Sequence, residues 1–219
     1  MVDHPNPAPP IASPFRSTRS NEAERRQKRE ALLLAAVRMF NERGFHATSL
    51  EDVAASLGVT KPVIYHHLGN KDQVLFACVQ IGLAELQQAA ERSHGMQGNG
   101  LDRLRAFLRR YAEVIMGEFG RCVIRTGEEV LSAETRAEFR ALKRRIDDRL
   151  RAMIAAAAAD GSAIVPDVRI AALTFAGALN WPARWYSPEG PIRPGDMATA
   201  LVDMLIAGIE PKTGIAAPQ

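Results

Sequence analysis

Residues 48–75 read TSLEDVAASLGVTKPVIYHHLGNKDQVL, a stretch that spells two short helices, a tight turn between them and the start of a third. Thr48 with Glu51 three residues later has the capping-box pattern, in which hydroxyl and carboxylate satisfy the free N–H groups at a helix start. Leu50, Val53, Ala54 and Leu57 then recur at i, i+3, i+4 and i+7, an apolar stripe that predicts a helix ended by Gly58. Thr60 can cap a second helix, and Pro62 is tolerated in its first turn, where an N–H has no intrahelical partner to lose. In that helix Val59, Ile64 and Leu68 are apolar at packing spacing, whereas Lys61, Tyr65, His66 and His67 point away from the seam. Gly69-Asn70 makes a turn, and Lys71-Asp72 opens the third helix, whose free N–H groups suit a phosphate.

Helix, short turn, helix is the layout of a helix-turn-helix DNA reader, whose second helix lies in the major groove. The run Val59 to Leu75, set behind an amphipathic helix that ends in Phe40-Asn41-Glu42-Arg43-Gly44-Phe45, resembles the signature of TetR-type repressors. Leu68 stands where that family usually has Phe, and Pro62 where a small residue is commoner. The resemblance implies that Thr48, Ser49, Tyr65, His67 and Lys71 touch phosphates, while Thr60, Lys61, Pro62, Val63 and His66 face base edges. Phosphate contacts fix register and carry the salt dependence; Lys61, donating to guanine, and Val63, meeting a thymine methyl, would carry sequence information. His66 and His67 are neighbours on a helix and share no face, so neither is a metal ligand, and no metal or cofactor is expected.

Net charge is only +3, but its distribution is uneven. Residues 16–71 hold ten basic and six acidic side chains, and residues 72–219 hold eighteen of each. This localisation fits a nucleic-acid footprint on the first part and a neutral partner domain behind it. Cys78 and Cys122 fall in helical segments without C-x-x-C spacing, which predicts buried free thiols, not a disulfide framework or zinc site. With no apolar run long enough for a bilayer and no signal-peptide order at the N-terminus, a cytoplasmic protein without membrane contact is expected.

An all-α chain is predicted throughout, with no strand signal and no repeat. Residues 1–20, rich in Pro and Ser, read as a disordered tail, residues 21–70 as the DNA-binding domain, 71–211 as a ligand-binding and dimerisation domain, and 212–219 as a second tail. Arg16, Arg19, Arg25, Arg26, Lys28 and Arg29 form a basic arm next to the first tail. Glu22 to Arg43 is the first helix, with Leu32, Leu33, Ala36, Val37 and Phe40 turned inward. Further helices are expected over Lys71 to about His94, Leu101 to Phe119, Arg121 to Leu131, Ala133 to Asp160, Pro166 to Trp181, and from an Asp196 cap onward. In the Ala133 helix, Arg136, Arg140, Lys143, Arg144 and Arg145 alternate with acids, which reads as a solvated face with i, i+4 pairing.

The last two helices are broadly apolar and rich in Ala and Gly, which predicts a two-fold homodimer through a four-helix bundle. Two reading helices then sit about 34 Å apart and match a near-palindromic operator in double-stranded DNA. From the TetR resemblance, a small-molecule pocket among the middle helices is expected, with Phe107, Tyr111, Ile115, Val123, Phe175, Trp181 and Trp185 as candidate lining. Arg121 and Arg125 are the candidates for an anionic head group. The segment Asn180-Trp181-Pro182-Ala183-Arg184-Trp185-Tyr186-Ser187-Pro188-Glu189-Gly190-Pro191 is similar to a stretch in TetR-type repressors of fatty-acid, aromatic-acid and sterol-fragment catabolism, some of which release DNA on binding acyl-CoA. An enzyme is not expected: nucleophile elbow, P-loop, glycine fingerprint and His-Glu zinc spacing are all missing, and the pairs Glu128-Glu129 and Asp147-Asp148 diverge on a helix. The remaining alternative is an architectural DNA-binding protein that senses nothing and binds every sequence alike.

Overall fold

The computed structural model describes residues 18–211, with side chains from Glu22 onward. The expected tails, apart from residues 18–20, and the side chains of Arg16 and Arg19 lie outside the described residues. Helix α1 (Thr18–Arg43) begins inside the stretch read as tail and buries Leu33, Ala36, Val37 and Phe40. Across it lie α2 (Leu50–Ser56) and α3 (Lys61–Leu68), separated by Gly58 at φ +63°, a conformation that costs glycine nothing. Ile64 and Leu68 of α3 and Leu50 and Val53 of α2 close this small core.

The start of α2 differs from the expectation by one residue. Ser49, not Thr48, is the cap: its hydroxyl accepts from the Asp52 N–H and the Asp52 carboxylate accepts from the Ser49 N–H. Thr48 is instead buried, donating its hydroxyl to the carbonyls of Gly44 (3.0 Å) and Met39 (3.4 Å). Leu57 also leaves the predicted stripe, because α2 ends at Ser56 and Leu57 caps it at the surface. Thr60 precedes α3, but its side chain makes no cap bond.

Helix α4 (Lys71–His94) starts from a reciprocal Asn70–Gln73 cap and runs the expected length, about 36 Å at 1.5 Å per residue. Next come α5 (Gly100–Met116) and α6 (Glu118–Thr126), where prediction put the break at Gly120. The chain bends at Gly117 instead, and Gly120 lies inside α6, pressed against the end of α5. A Cβ at Gly120 would meet the Val114 carbonyl at 2.2 Å, so the glycine marks close packing, not a stop. Helix α7 (Ala133–Ala159) is capped by Ser132. It buries Phe139, Leu150, Ile154 and Ala157, with Ile146 and Met153 half-buried. Then follow α8 (Val168–Asn180), capped by Asp167, a short α9 (Pro182–Trp185) and α10 (Pro194–Ala207). Helix α10 starts two residues before the expected Asp196 cap; Asp196 accepts from Arg193 Nε at 2.9 Å and lies in the first turn.

Two apolar cores result. One is built from α5, α7, α8 and α10 around Phe107, Leu104, Leu108 and Leu179, side chains whose burial contributes about 1.5–3 kcal/mol each. The other belongs to α1–α4, yet Cys122 of α6, Leu131 of the segment between α6 and α7, and Phe139 of α7 complete it. Both cysteines are buried free thiols, as expected. Polar joints reinforce this contact. Asn41 Nδ2 at the end of α1 donates to the Glu118 carbonyl and Oε2 at 3.0 and 2.9 Å. Asp72 at the start of α4 accepts from the Ser132 N–H and hydroxyl and from the Thr135 hydroxyl at 2.8–3.0 Å. Among the described residues no strand forms, and no helix is long and apolar enough to cross a membrane.

Candidate nucleic-acid interface and ligand cavity

Helix α3 turns Ile64 and Leu68 into the core, and this leaves Lys61, Pro62, Val63, Tyr65 and His66 exposed on the opposite face, with Thr60 exposed just before it. Side chains on this face are held by a residue that prediction used only as a cap. Glu51 of α2 accepts from Tyr65 Oη at 3.0 Å and lies 2.6 Å from Lys61 Nζ, and the Lys61 ammonium sits 5.6 Å from the Tyr65 ring. The Lys61 bond holds the Glu51 carboxyl below its usual range, and Glu51 in turn raises both the Lys61 ammonium and the Tyr65 phenol. The only sequence signal for this link was the spacing of a carboxylate on one helix and two donors on the next.

Three of the predicted phosphate contacts are placed differently from the rest. Thr48 is buried and its hydroxyl faces inward, whereas Ser49 beside it reaches the surface. Lys71 donates to the Phe45 carbonyl and lies 4.4 Å from the Phe45 ring, so its ammonium fastens the α1–α2 loop to α4; partial burial lowers its pKa. His67 is half-buried, its ring edge-on to that of His66 at 5.1 Å.

In the other half of the molecule α4, α5, α6 and α7 line a cavity of about 410 Å³ that opens to solvent, with Ala176 and Asn180 of α8 also in its lining. Its walls are apolar: Val79, Leu83 and Leu86 from α4, Val114 and Ile115 from α5, Val123 and Ile124 from α6, Ile146 and Leu150 from α7. Tyr111 closes the interior, donating its hydroxyl to Asn180 Oδ1 at 3.0 Å, and burial pushes its pKa up to about 12. Of the predicted lining, Tyr111, Ile115 and Val123 are in place.

The other candidates do not line the cavity. Phe107 and Phe175 are core side chains packed behind it. Arg121 is buried against Glu118 at 3.1 Å. Arg125 donates to the carbonyls of Ala183 (2.7 Å), Asn41 (3.1 Å) and Arg184 (3.3 Å), so it ties α6 to α1 and α9. Trp181 and Trp185 face outward, 62% and 49% exposed. Sequence reasoning missed the whole α4 wall, whose residues resemble ordinary core, and Lys143, Arg144 and Asp147, which read as part of a solvated face.

Comparison with known proteins matches both halves of this arrangement. Residues 32–78 match the family described as bacterial regulatory proteins, tetR family, and residues 97–209 match the tetracyclin repressor-like C-terminal domain. The solved TetR family transcriptional regulator PfmR from Thermus thermophilus is 31% identical, with a TM-score of 0.74 over 82% of this chain and 99% of its own. AibR, solved in complex with isovaleryl coenzyme A and operator DNA, is 29% identical with a TM-score of 0.69, covering 81% and 97% of the two chains. The transcriptional repressor KstR2 of Mycolicibacterium smegmatis is 25% identical over 191 residues, 85% of this chain and 93% of that protein. With the reading head and the helical domain behind it both matched, this chain belongs to the TetR family of transcriptional regulators.

Proposed function

We propose that the protein is a ligand-responsive repressor that binds a near-palindromic operator as a homodimer and leaves it when a small molecule, an acyl-CoA or another lipid or aromatic-acid metabolite, fills the cavity. One observation carries this reading: α4 forms a wall of the cavity along its middle and carries the reading head at its start. A ligand that favours a different packing of α4 against α5–α7 would shift Lys71 and, through its bond to Phe45, the seat of α2 and α3. Helix α6 offers a second route, since Gly120, Val123 and Ile124 line the cavity while Glu118 and Arg125 hold Asn41 of α1. AibR, whose structure holds both isovaleryl coenzyme A and operator DNA, supports a thioester effector by likeness.

The dimer rests on the outer face of the last helices. Leu173 and Trp181 at the face and end of α8 and Met204 on α10 are 56%, 62% and 76% exposed, an apolar surface of the kind that pairs isologously with its own copy. The whole reading is tested by selecting a binding sequence from a random duplex pool, then titrating it by fluorescence anisotropy with acyl-CoAs of graded length. Retention of a near-palindromic site against excess unrelated DNA, and its release by one acyl-CoA class, is the expected outcome. Equal affinity for all sequences leaves only the architectural alternative, and a Leu173→Asp variant that stays dimeric by sedimentation refutes the assigned interface.

A further inference from the structure

We infer that the Lys143–Arg144 step of α7 receives an anionic group on the effector, with the effector's apolar part lying in the cavity behind it. The inference rests on the cavity being the effector site, as proposed above, and adds which end of the ligand points where.

Four charged side chains line the cavity: Glu128, Lys143, Arg144 and Asp147. Both carboxylates are already neutralised. Asp147 pairs with Arg151 at 2.6 Å, and Glu128 pairs with Arg140 at 2.7 Å, which holds its carboxyl below the usual range. Lys143 stands 3.9 Å from the same Glu128, the weaker of that carboxylate's two contacts, and rests 5.3 Å from the Phe139 ring. Arg144 has no acidic partner within 4.0 Å among the described residues. With the two carboxylates taken up by Arg140 and Arg151 from outside the lining, Lys143 and Arg144 are left for an incoming anion, which meets them without first breaking a short ion pair. Both are exposed, whereas the walls behind them are apolar, so the charge belongs at the rim and the hydrocarbon inside. Arg121 and Arg125, the cations that sequence alone suggested, are committed to Glu118 and to backbone carbonyls. Either a carboxylate or the phosphates of a thioester's coenzyme A would satisfy this rim.

Titration calorimetry on the full chain with decanol, decanoate, decanoyl-CoA and coenzyme A tests the assignment. At low salt decanoate, decanoyl-CoA or both should bind at least about 5-fold tighter than decanol, an advantage of the size expected for partly exposed charge pairs. Raising salt from about 50 to 500 mM should erase most of it by screening. A paired Lys143→Gln/Arg144→Gln variant should lose the same advantage and keep decanol affinity, whereas Arg145→Gln, one residue further round the helix and outside the lining, should keep it. An advantage confined to decanoyl-CoA identifies phosphate as the anion; one shared by decanoate identifies carboxylate. Decanol binding as tightly as both anionic ligands, or an advantage that survives high salt or the paired variant, overturns the assignment while leaving the cavity as the effector site. Failure of every ligand to bind overturns both.

Discussion

Replacing Thr48 by valine separates its two possible roles. The side chain is almost fully buried, and its one hydroxyl proton is shared between the Gly44 carbonyl at 3.0 Å and the Met39 carbonyl at 3.4 Å. Valine keeps the shape but donates nothing, leaving the loop that joins α1 to α2 with an unanswered carbonyl. Loss of a buried hydrogen bond that strands its partner costs about 1–3 kcal/mol. For a chain of 219 residues each kcal/mol lowers the melting temperature by about 2–4 °C, so a fall of about 2–12 °C is expected. Thermal melting followed by circular dichroism measures the fall, and anisotropy on a generic duplex across a potassium chloride series measures phosphate contacts. Thr48→Val should melt early and keep the wild-type affinity for the duplex at every salt concentration. A variant that melts with the wild type and binds the duplex several-fold more weakly across the series would show the hydroxyl on a phosphate and refute the burial argument.

Other perturbations probe the reading head, the cavity and the joint between them. Glu51→Gln removes the carboxylate that holds Lys61 and Tyr65, so affinity for random-sequence duplex should rise and its salt slope steepen by about one unit, with specificity for a selected site reduced. Unchanged random-sequence affinity in gel-shift titration would refute this restraint. Tyr111 is favoured as the neutral phenol, so its contribution to stability is present below its ordinary pKa of 10.0 and is lost as pH rises toward about 12. Across that window urea melts should weaken by about 2–3 kcal/mol more in the wild type than in Tyr111→Phe. Parallel alkaline slopes for the two proteins would show that the phenol is not buried in solution. Asn41→Ala removes the side-chain half of the α1–α6 joint, the two bonds to Glu118, and leaves the Arg125 bond to the Asn41 carbonyl; effector and DNA should each still bind, while effector-driven release of DNA should weaken several-fold. Release at wild-type effector concentrations would exclude this joint as a route of coupling.

Much of the fold was legible because local rules and tertiary packing agree here. The Gly69-Asn70 turn followed by Lys71-Asp72 marked the start of α4, and the helical recurrence of Leu32, Leu33, Ala36, Val37 and Phe40 marked the inward face of α1. Prediction failed where one residue type serves two ends. Thr48 and Ser49 both have a hydroxyl able to cap, and only the pull of the Gly44 carbonyl decides which does. Gly117 and Gly120 can both end a helix, and only the close approach of α5 shows that Gly120 does not. The cavity was the least legible part. A wall of Val79, Leu83 and Ile124 looks the same in sequence whether it meets another side chain or empty space, and nothing in the sequence tells that the solvated Lys143 stands beside a cavity.

The incomplete interior of the reading head sets a rule for exchanging parts among relatives. Because Cys122, Leu131 and Phe139 fill the space beneath α1 and α4, a head severed after α4 would carry an open apolar underside, and a foreign head would have to match three side chains it never encoded. Hybrids joined without those positions would therefore fail as folded bodies before their operator preference could be read, and a transplant has to take the underside of α6 and α7 along with the helices that meet DNA.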